Sequence, residues 1–258
     1  MSGTIGFIGV GEIAAAMIEG LASAEEPPES LVLSPRGRNN VTSLAQRFPG
    51  LVTVAADNQA VADAADTIIV AVLPEQVAEV LEPVAFRDAH VLISALAGVT
   101  IAEVRAAVGV DVPVIRAIPM PPVRNRAVAT VVTPQHPTAT AIFDVLGGTL
   151  PVADEAALSV FSSVTGAVSG YLKYLAVVCS WAESQGVPRE DAERFLRDLF
   201  AGLSPAIKDT NTPMEQVVSD HETPGGLNEQ LRTTFFEETG TASLQKALDE
   251  LHARVTGS

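Results

Sequence analysis

Ile5-Gly6-Phe7-Ile8-Gly9-Val10-Gly11-Glu12-Ile13-Ala14 decides how the rest of the chain is read. Residues 5–8 form a short apolar run of the kind found in a buried strand, and residues 14–22 continue as a helix. Between them Gly9-x-Gly11-x-x-Ala14 has the spacing of a tight phosphate-binding turn. Gly9 permits the sharp strand-to-helix reversal. Gly11 lacks the Cβ that would hold the backbone away from a pyrophosphate, and Ala14 is small enough for helix and strand to pack closely. The unpaired amides and the positive dipole end of the helix then face the phosphates. Glycines also mark ordinary turns. The position of these two, after a strand and at the head of a helix, points to a dinucleotide fold.

The next strand outward is residues 30–33. The residue ending such a strand, about twenty positions past the glycines, is where an acidic side chain takes the ribose 2′-hydroxyl of NAD. Here stands Ser34, followed by Pro35-Arg36-Gly37-Arg38-Asn39. A carboxylate would repel a 2′-phosphate, whereas a hydroxyl and two guanidiniums offer it charge-assisted, bidentate hydrogen bonds. NADP(H) is therefore expected over NAD(H), with Arg36 and Arg38 on the phosphate rather than standing as a solvated loop pair.

Strand and helix signals then alternate. Helices are expected at 41–48, 58–65, 75–81 and 101–108, and strands at 52–54, 67–72, 90–95 and 112–117. Two further strands, 129–133 and 148–152, flank a helix at 138–146. This pattern predicts an α/β fold, a doubly wound parallel sheet over residues 1–153. The strand ends around Val72 and Leu73, Ala95 and Ala97, and Met120 would lie at the carboxyl edge beside the cofactor. The cofactor-binding candidates are Gly9, Gly11, Glu12, Ile13, Ala14, Ser34, Arg36, Arg38, Val72, Leu73, Ala95 and Ala97.

Beyond Asp154 the strand signal fades, and helical patterns run over 155–181, 189–201, 214–220 and 227–255, giving an all-helical region, residues 154–258. Residues 159–181 are apolar nearly all round, so they must be buried in a larger core or between subunits. A homodimer or higher homo-oligomer is expected.

Composition excludes several classes. At 47% apolar residues the chain can bury a sizeable core. Its 31 acidic against 16 basic side chains, a net charge of −15, would repel a nucleic-acid backbone or an anionic membrane. No nucleic-acid or membrane partner is expected, and a small anionic ligand must find a local basic pocket. Cys179 stands alone, which leaves no disulfide framework and makes a buried free thiol its expected state. No secretory signal or membrane span is read, so a cytoplasmic location is expected.

Catalytic groups are less legible. His90, His136, His221 and His252 are scattered, and none has metal-ligand spacing, so no metal is expected. Surface roles are assigned to His90, His136 and His252. No nucleophile motif appears, and hydride transfer needs none, since positioning and electrostatics carry much of its rate. The second informative stretch is Thr223-Pro224-Gly225-Gly226-Leu227-Asn228, ahead of the last long helical pattern. Its glycines admit close backbone approach, and the free amides of a helix start suit a carboxylate. A plain helix-start turn explains the same residues equally well.

Four stretches together, the opening ten residues, Ile93-Ser94-Ala95-Leu96-Ala97-Gly98-Val99, Arg116-Ala117-Ile118-Pro119 and Thr223-Pro224-Gly225-Gly226, resemble the pyrroline-5-carboxylate reductase family over nearly the whole chain. The resemblance implies an N-terminal Rossmann-like domain joined to a helical C-terminal dimerisation domain. It also implies an oxidoreductase that reduces the cyclic imine 1-pyrroline-5-carboxylate to proline with NADPH or NADH. Gly9, Gly11 and Ala14 match the pyrophosphate turn, and Ser34, Arg36 and Arg38 the adenosine ribose and its phosphate. Thr223, Gly225 and Gly226 match a clamp for the substrate carboxylate. Met120, Leu227 and Asn228 complete the substrate-binding candidates, with Asn228 and Thr223 as catalytic candidates.

The chain departs from the family pattern in four places. Met120-Pro121-Pro122 stands where the family has Asn-Thr-Pro, Thr165-Gly166-Ala167-Val168-Ser169-Gly170 where it has a Ser-Gly-Ser-Gly-Pro-Ala segment, Leu73-Pro74 where a Lys-Pro pair is common, and Leu227-Asn228 where two threonines follow the glycines. Asn228 can hydrogen-bond an imine or amine; Leu227 cannot. Three readings stay open: reduction of pyrroline-5-carboxylate, reduction of a different imine or carbonyl acid, and a non-catalytic NADP(H)-binding sensor.

Overall fold

The computed structural model describes residues 3–257, and the chain divides into two compact units, Met1–Ser162 and Ser163–Ser258. The first unit runs β1 (Thr4–Ile8), α1 (Glu12–Ala22), β2 (Ser30–Leu33), α2 (Arg38–Arg47), β3 (Val52–Val54), α3 (Asn58–Ala64) and β4 (Thr67–Val70). It continues with α4 (Val77–Leu81), β5 (Val91–Ser94), α5 (Ile101–Val108), β6 (Val114–Ile118), β7 (Thr130–Thr133), α6 (Pro137–Val145) and β8 (Thr149–Pro151). Helix α7 (Glu155–Val164) leads out of the sheet.

The strands form one eight-stranded sheet in the order β3-β2-β1-β4-β5-β6-β7-β8. Its apolar side chains alternate between two faces, as the period of a strand requires. Phe7, Leu31, Leu33, Ile69, Ile93 and Ile115 pack against α1, α2 and α6. Ile8, Val32, Ile68, Val70, Leu92 and Val114 pack against α3, α4 and α5. Helices cover both faces, so the Rossmann-like α/β class read from the sequence stands.

One pairing has its own cause. β1 to β6 are mutually parallel neighbours, but β7 runs antiparallel to β6 and parallel to β8. The link between β6 and β7 holds only a short 3-10 turn, Pro121–Asn125, whereas a parallel crossover needs about a dozen residues or more, usually a helix. β4 stops at Val70, earlier than the apolar run suggested, because Ala71 to Pro74 bends into the cleft.

His90 corrects its surface assignment. It is 1% exposed. Its Nδ1 accepts from the Arg87 N–H at 2.9 Å, and Nε2 lies 2.9 Å from the Ala62 carbonyl, which obliges it to carry the proton and donate. The ring ties the turn before β5 to α3. His136 caps α6, its Nδ1 accepting from the Thr138 N–H.

The second unit contains α8 (Ala167–Ser184), α9 (Arg189–Gly202), α10 (Ser204–Lys208), α11 (Met214–Asp220), α12 (Leu227–Phe235) and α13 (Glu238–Thr256). Two long helical patterns are each broken. The first is interrupted at Thr165-Gly166, where a Cβ on Gly166 would meet Leu251 of α13 at 2.7 Å. The second breaks at Phe236-Glu237, where the Phe235 and Phe236 rings stand edge to face. Among the described residues of this unit only Ser163, Cys179, Ala192 and Leu196 are buried. Tyr171, Leu172, Val177, Trp181, Phe195 and Leu199 are exposed in the single chain. The burial expected for the apolar helix is therefore not supplied within one chain.

Candidate active site

A cavity of about 500 Å³ opens at the carboxyl ends of β1, β2, β4 and β5, the place where an open α/β sheet takes its ligand. The turn from β1 into α1 forms its floor. Gly9 has φ +88°, and a Cβ there would fall 2.5 Å from Val72 Cγ1 and 2.6 Å from the Ala71 carbonyl oxygen. Only glycine meets both constraints. The Gly9 N–H donates to Ser34 Oγ at 3.0 Å, and the Ser34 N–H donates to the Phe7 carbonyl at 2.9 Å. Asn40 Nδ2 donates to the Val10 carbonyl at 3.1 Å. The turn is thus held from β2 and α2 before any ligand arrives.

Gly11 is the N-cap residue of α1, and no side chain caps the helix start. A Cβ on Gly11 would have nothing within 4 Å, so the space in front of this backbone is open to a ligand. Helix amides without an internal partner, a positive dipole end and that open space fit a pyrophosphate.

Of the cofactor-binding candidates, Gly9, Gly11, Glu12, Ile13, Ser34, Arg36, Val72, Leu73, Ala95 and Ala97 line the cavity. Ala14 lies beneath it, fully buried in the core between α1 and the sheet. Arg38 heads α2 and does not line the cavity. Ser34 is 1% exposed, and its oxygen is engaged by the glycine turn. Arg36 is exposed, and its Nη2 donates to Glu79 Oε1 at 2.8 Å. The sequence reading did not select Asn58, Gln76 and Val80, which also line the cavity, or Glu79. Asn58 could have been found, since it follows β3 at the same sheet edge. Glu79 reaches Arg36 from another element, which no local pattern reveals. Met120 precedes the 3-10 turn after β6 and does not line this cavity.

The remaining candidates lie in the second unit. The Gly226 N–H donates to the Thr223 carbonyl at 2.7 Å, and the Gly225 N–H to Glu229 Oε2 at 2.6 Å. The Asn228 side-chain amide donates to the His221 carbonyl at 2.7 Å. Glu222 receives Arg232 at both carboxylate oxygens, which holds its carboxyl below the usual range and raises the Arg232 guanidinium. The Gly225 and Gly226 amides of the loop are therefore engaged, the first by a carboxylate, while no side chain caps the start of α12 itself. Leu227, 84% exposed, projects from the start of α12. Among the described residues no group of three or more His, Cys, Asp or Glu could hold a metal ion, and no helix is long and apolar enough to cross a membrane.

Residues 4–98 match a family described as NADP oxidoreductase, coenzyme F420-dependent. Over longer spans the chain is similar to proteins named pyrroline-5-carboxylate reductase. The one from Escherichia coli K12 is 29% identical, covering 96% of this chain and 95% of its own length. The one from Pseudomonas aeruginosa is 26% identical, with 97% and 94% covered. A pyrroline-5-carboxylate reductase structure from Coxiella burnetii superposes with a TM-score of 0.86 at 22% identity, covering 99% of this chain and 98% of that one. That likeness shows a shared fold over the full length.

Proposed function

We propose that this chain, similar over nearly all its length to pyrroline-5-carboxylate reductases, is an NADP-dependent oxidoreductase acting on a C=N bond, with 1-pyrroline-5-carboxylate as substrate and proline as product. The observation that carries the reading is the cavity at the strand ends, floored by a glycine turn whose backbone faces open space at Gly11. Gly9, Gly11, Glu12 and Ile13 hold the pyrophosphate, and Val72, Leu73, Ala95 and Ala97 line the path toward the nicotinamide. Arg36 takes the 2′-phosphate from the cavity wall, with Arg38, at the start of α2 outside the lining, as its second guanidinium. Held by these residues, NADPH would supply the hydride for the C=N carbon, with the proton for the nitrogen drawn from solvent. Thr223, Gly225, Gly226, Leu227 and Asn228 are the proposed substrate contacts of the second unit, the Gly225, Gly226 and Asn228 amides becoming available once Glu229 and the Thr223 and His221 carbonyls release them.

In this reading residues 1–153 bind the nucleotide, and residues 154–258 serve the substrate and assembly. A homodimer is part of the proposal, supported by the four buried residues of the second unit against its many exposed apolar side chains. So little burial leaves an isolated unit without a core to offset its chain entropy. A cytoplasmic location accompanies it.

A second reading, reduction of an imine that carries no carboxylate, is favoured by one observation: the Gly225 amide is already occupied by Glu229. The test is NADPH oxidation followed by absorbance with pyrroline-5-carboxylate, then with unsubstituted cyclic imines. Turnover on the first supports the lead, and turnover only on the others supports the second. Tight NADPH binding with no turnover on any imine overturns both in favour of a sensor. Arg36→Ala with Arg38→Ala should weaken NADPH far more than NADH, and equal losses would refute the phosphate assignment. Light scattering that finds a stable monomer at micromolar concentration would refute the dimer.

A further inference from the structure

The cofactor preference read from Ser34, Arg36 and Arg38 leaves out a carboxylate that folding brings to the same place. Arg36 lines the cavity from the loop after β2. Glu79 sits on α4, whose Val80 and the preceding Gln76 line the cavity from the β4 side. The 2.8 Å contact between Arg36 and Glu79 therefore spans the two walls.

We propose that Glu79 sets how strongly this chain prefers NADPH to NADH, by competing with the ribose 2′-phosphate for the Arg36 guanidinium. The inference rests on the dinucleotide reading of the cavity. With side chains 63% and 61% exposed, the ion pair is of the weak, water-screened kind. A phosphate monoester carries close to two negative charges and three strong acceptor oxygens, so it takes the guanidinium from the single carboxylate. Glu79 then remains as a like charge within a Debye length of the phosphate. The 2′-hydroxyl of NADH meets neither penalty, because it is neutral and can donate to Glu79 directly. Glu79 thus weakens NADPH selectively and restores, from α4, the acidic group that β2 lacks.

The experiment is calorimetric titration of NADPH, NADH and adenosine 2′,5′-bisphosphate into the full chain and into Glu79→Gln, which keeps the side-chain shape and removes the charge. The expected result is binding about two- to fivefold tighter for both 2′-phosphorylated ligands, more at low salt, with NADH unchanged or weaker. In an Arg36→Ala background the gain from Glu79→Gln should shrink, since the competition has lost its object. An unmoved NADPH to NADH ratio overturns the inference. So does weaker NADPH binding, which would make Glu79 a positioning residue for Arg36. Failure of the unmodified chain to bind either nucleotide would sink the proposed function and this inference together. Binding with an unmoved ratio sinks this inference alone.

Discussion

Glu155 Oε1, on the first residue of α7, accepts from Arg116 Nη1 at 2.7 Å and from the Ile101 backbone N–H at 3.0 Å. One carboxylate oxygen thereby joins β6, the start of α5 and the start of α7. Arg116 is 4% exposed, so removing its partner leaves a charge in a poorly hydrated place. Glu155→Ala should lower stability by about 2–3 kcal/mol, the lower part of the range for a broken buried pair because Glu155 is itself partly exposed. Glu155→Gln keeps an acceptor for Ile101 and should lose less. Urea unfolding followed by circular dichroism, with amide exchange along β6, reads both. Equal midpoints for the unmodified chain and Glu155→Ala would contradict the assignment.

The two glycines of the first turn should separate when substituted. Gly9→Ala places a Cβ against the Ala71 carbonyl and Val72 at a positive φ, which costs about 2–4 kcal/mol in strain and overpacking. Gly11→Ala meets nothing within 4 Å and adopts extended backbone that any residue accepts, so stability should fall by less than about 1 kcal/mol. Its methyl group enters the space assigned to the pyrophosphate, so dinucleotide affinity should drop by about tenfold or more. A thermal melt and a binding titration on each variant decide it. Unchanged NADPH affinity in a folded Gly11→Ala would remove the pyrophosphate from this turn.

What the chain reveals before folding is what depends on near neighbours in sequence. The strand, the turn and α1 are coded by glycine spacing and an apolar run, and the α/β class by strand and helix signals that alternate along the chain. Relationships between distant segments were not legible. The direction of β7 follows from the short link after β6. Likewise Glu79 meets Arg36 only because α4 and the β2 loop flank one crevice. His90 reads as a polar residue at a strand start, yet two backbone groups, on Arg87 and Ala62, satisfy its ring in the interior. The apolar stretch through α8 needs cover, and the single chain leaves Trp181 65% exposed. At the 223–228 loop the glycines are visible, but Glu229 reaching back from α12 to the Gly225 amide is not, because that bond depends on a side-chain rotamer.

The start of α5 should carry a measurable pH dependence. Thr100 and Glu103 form a reciprocal cap, with the Thr100 hydroxyl donating to Glu103 Oε2 at 2.6 Å and the Thr100 N–H at 2.7 Å. These bonds hold the Glu103 carboxyl below its ordinary value of 4.5, the hydroxyl first and the backbone N–H second, with the Arg116 charge adding to them. A carboxyl whose folded pKa is depressed contributes stability above its unfolded pKa and loses it as pH falls through the folded value. Thr100→Ala should therefore cost about 1 kcal/mol at neutral pH and less in acid below the carboxylate range. A carboxyl-carbon NMR titration should place Glu103 below 4.5 in the unmodified chain and closer to it in Thr100→Ala. A cost that stays constant through the acid range would refute the linkage.

The 2.6 Å bond from the Gly225 N–H to Glu229 makes a sharp statement about the substrate. A substrate carboxylate that takes the Gly225 amide must displace Glu229 from it and then sit beside its negative charge, whereas an imine without a carboxylate has no reason to. Glu229→Gln removes the charge and weakens the internal bond, so KM for pyrroline-5-carboxylate should fall by about two- to fivefold with kcat unchanged. For an unsubstituted cyclic imine both constants should stay where they are. If KM falls for both substrates, the loop acts through shape rather than charge. If KM rises for pyrroline-5-carboxylate, Glu229 holds the loop in its working form, and the carboxylate competition assigned to it is wrong.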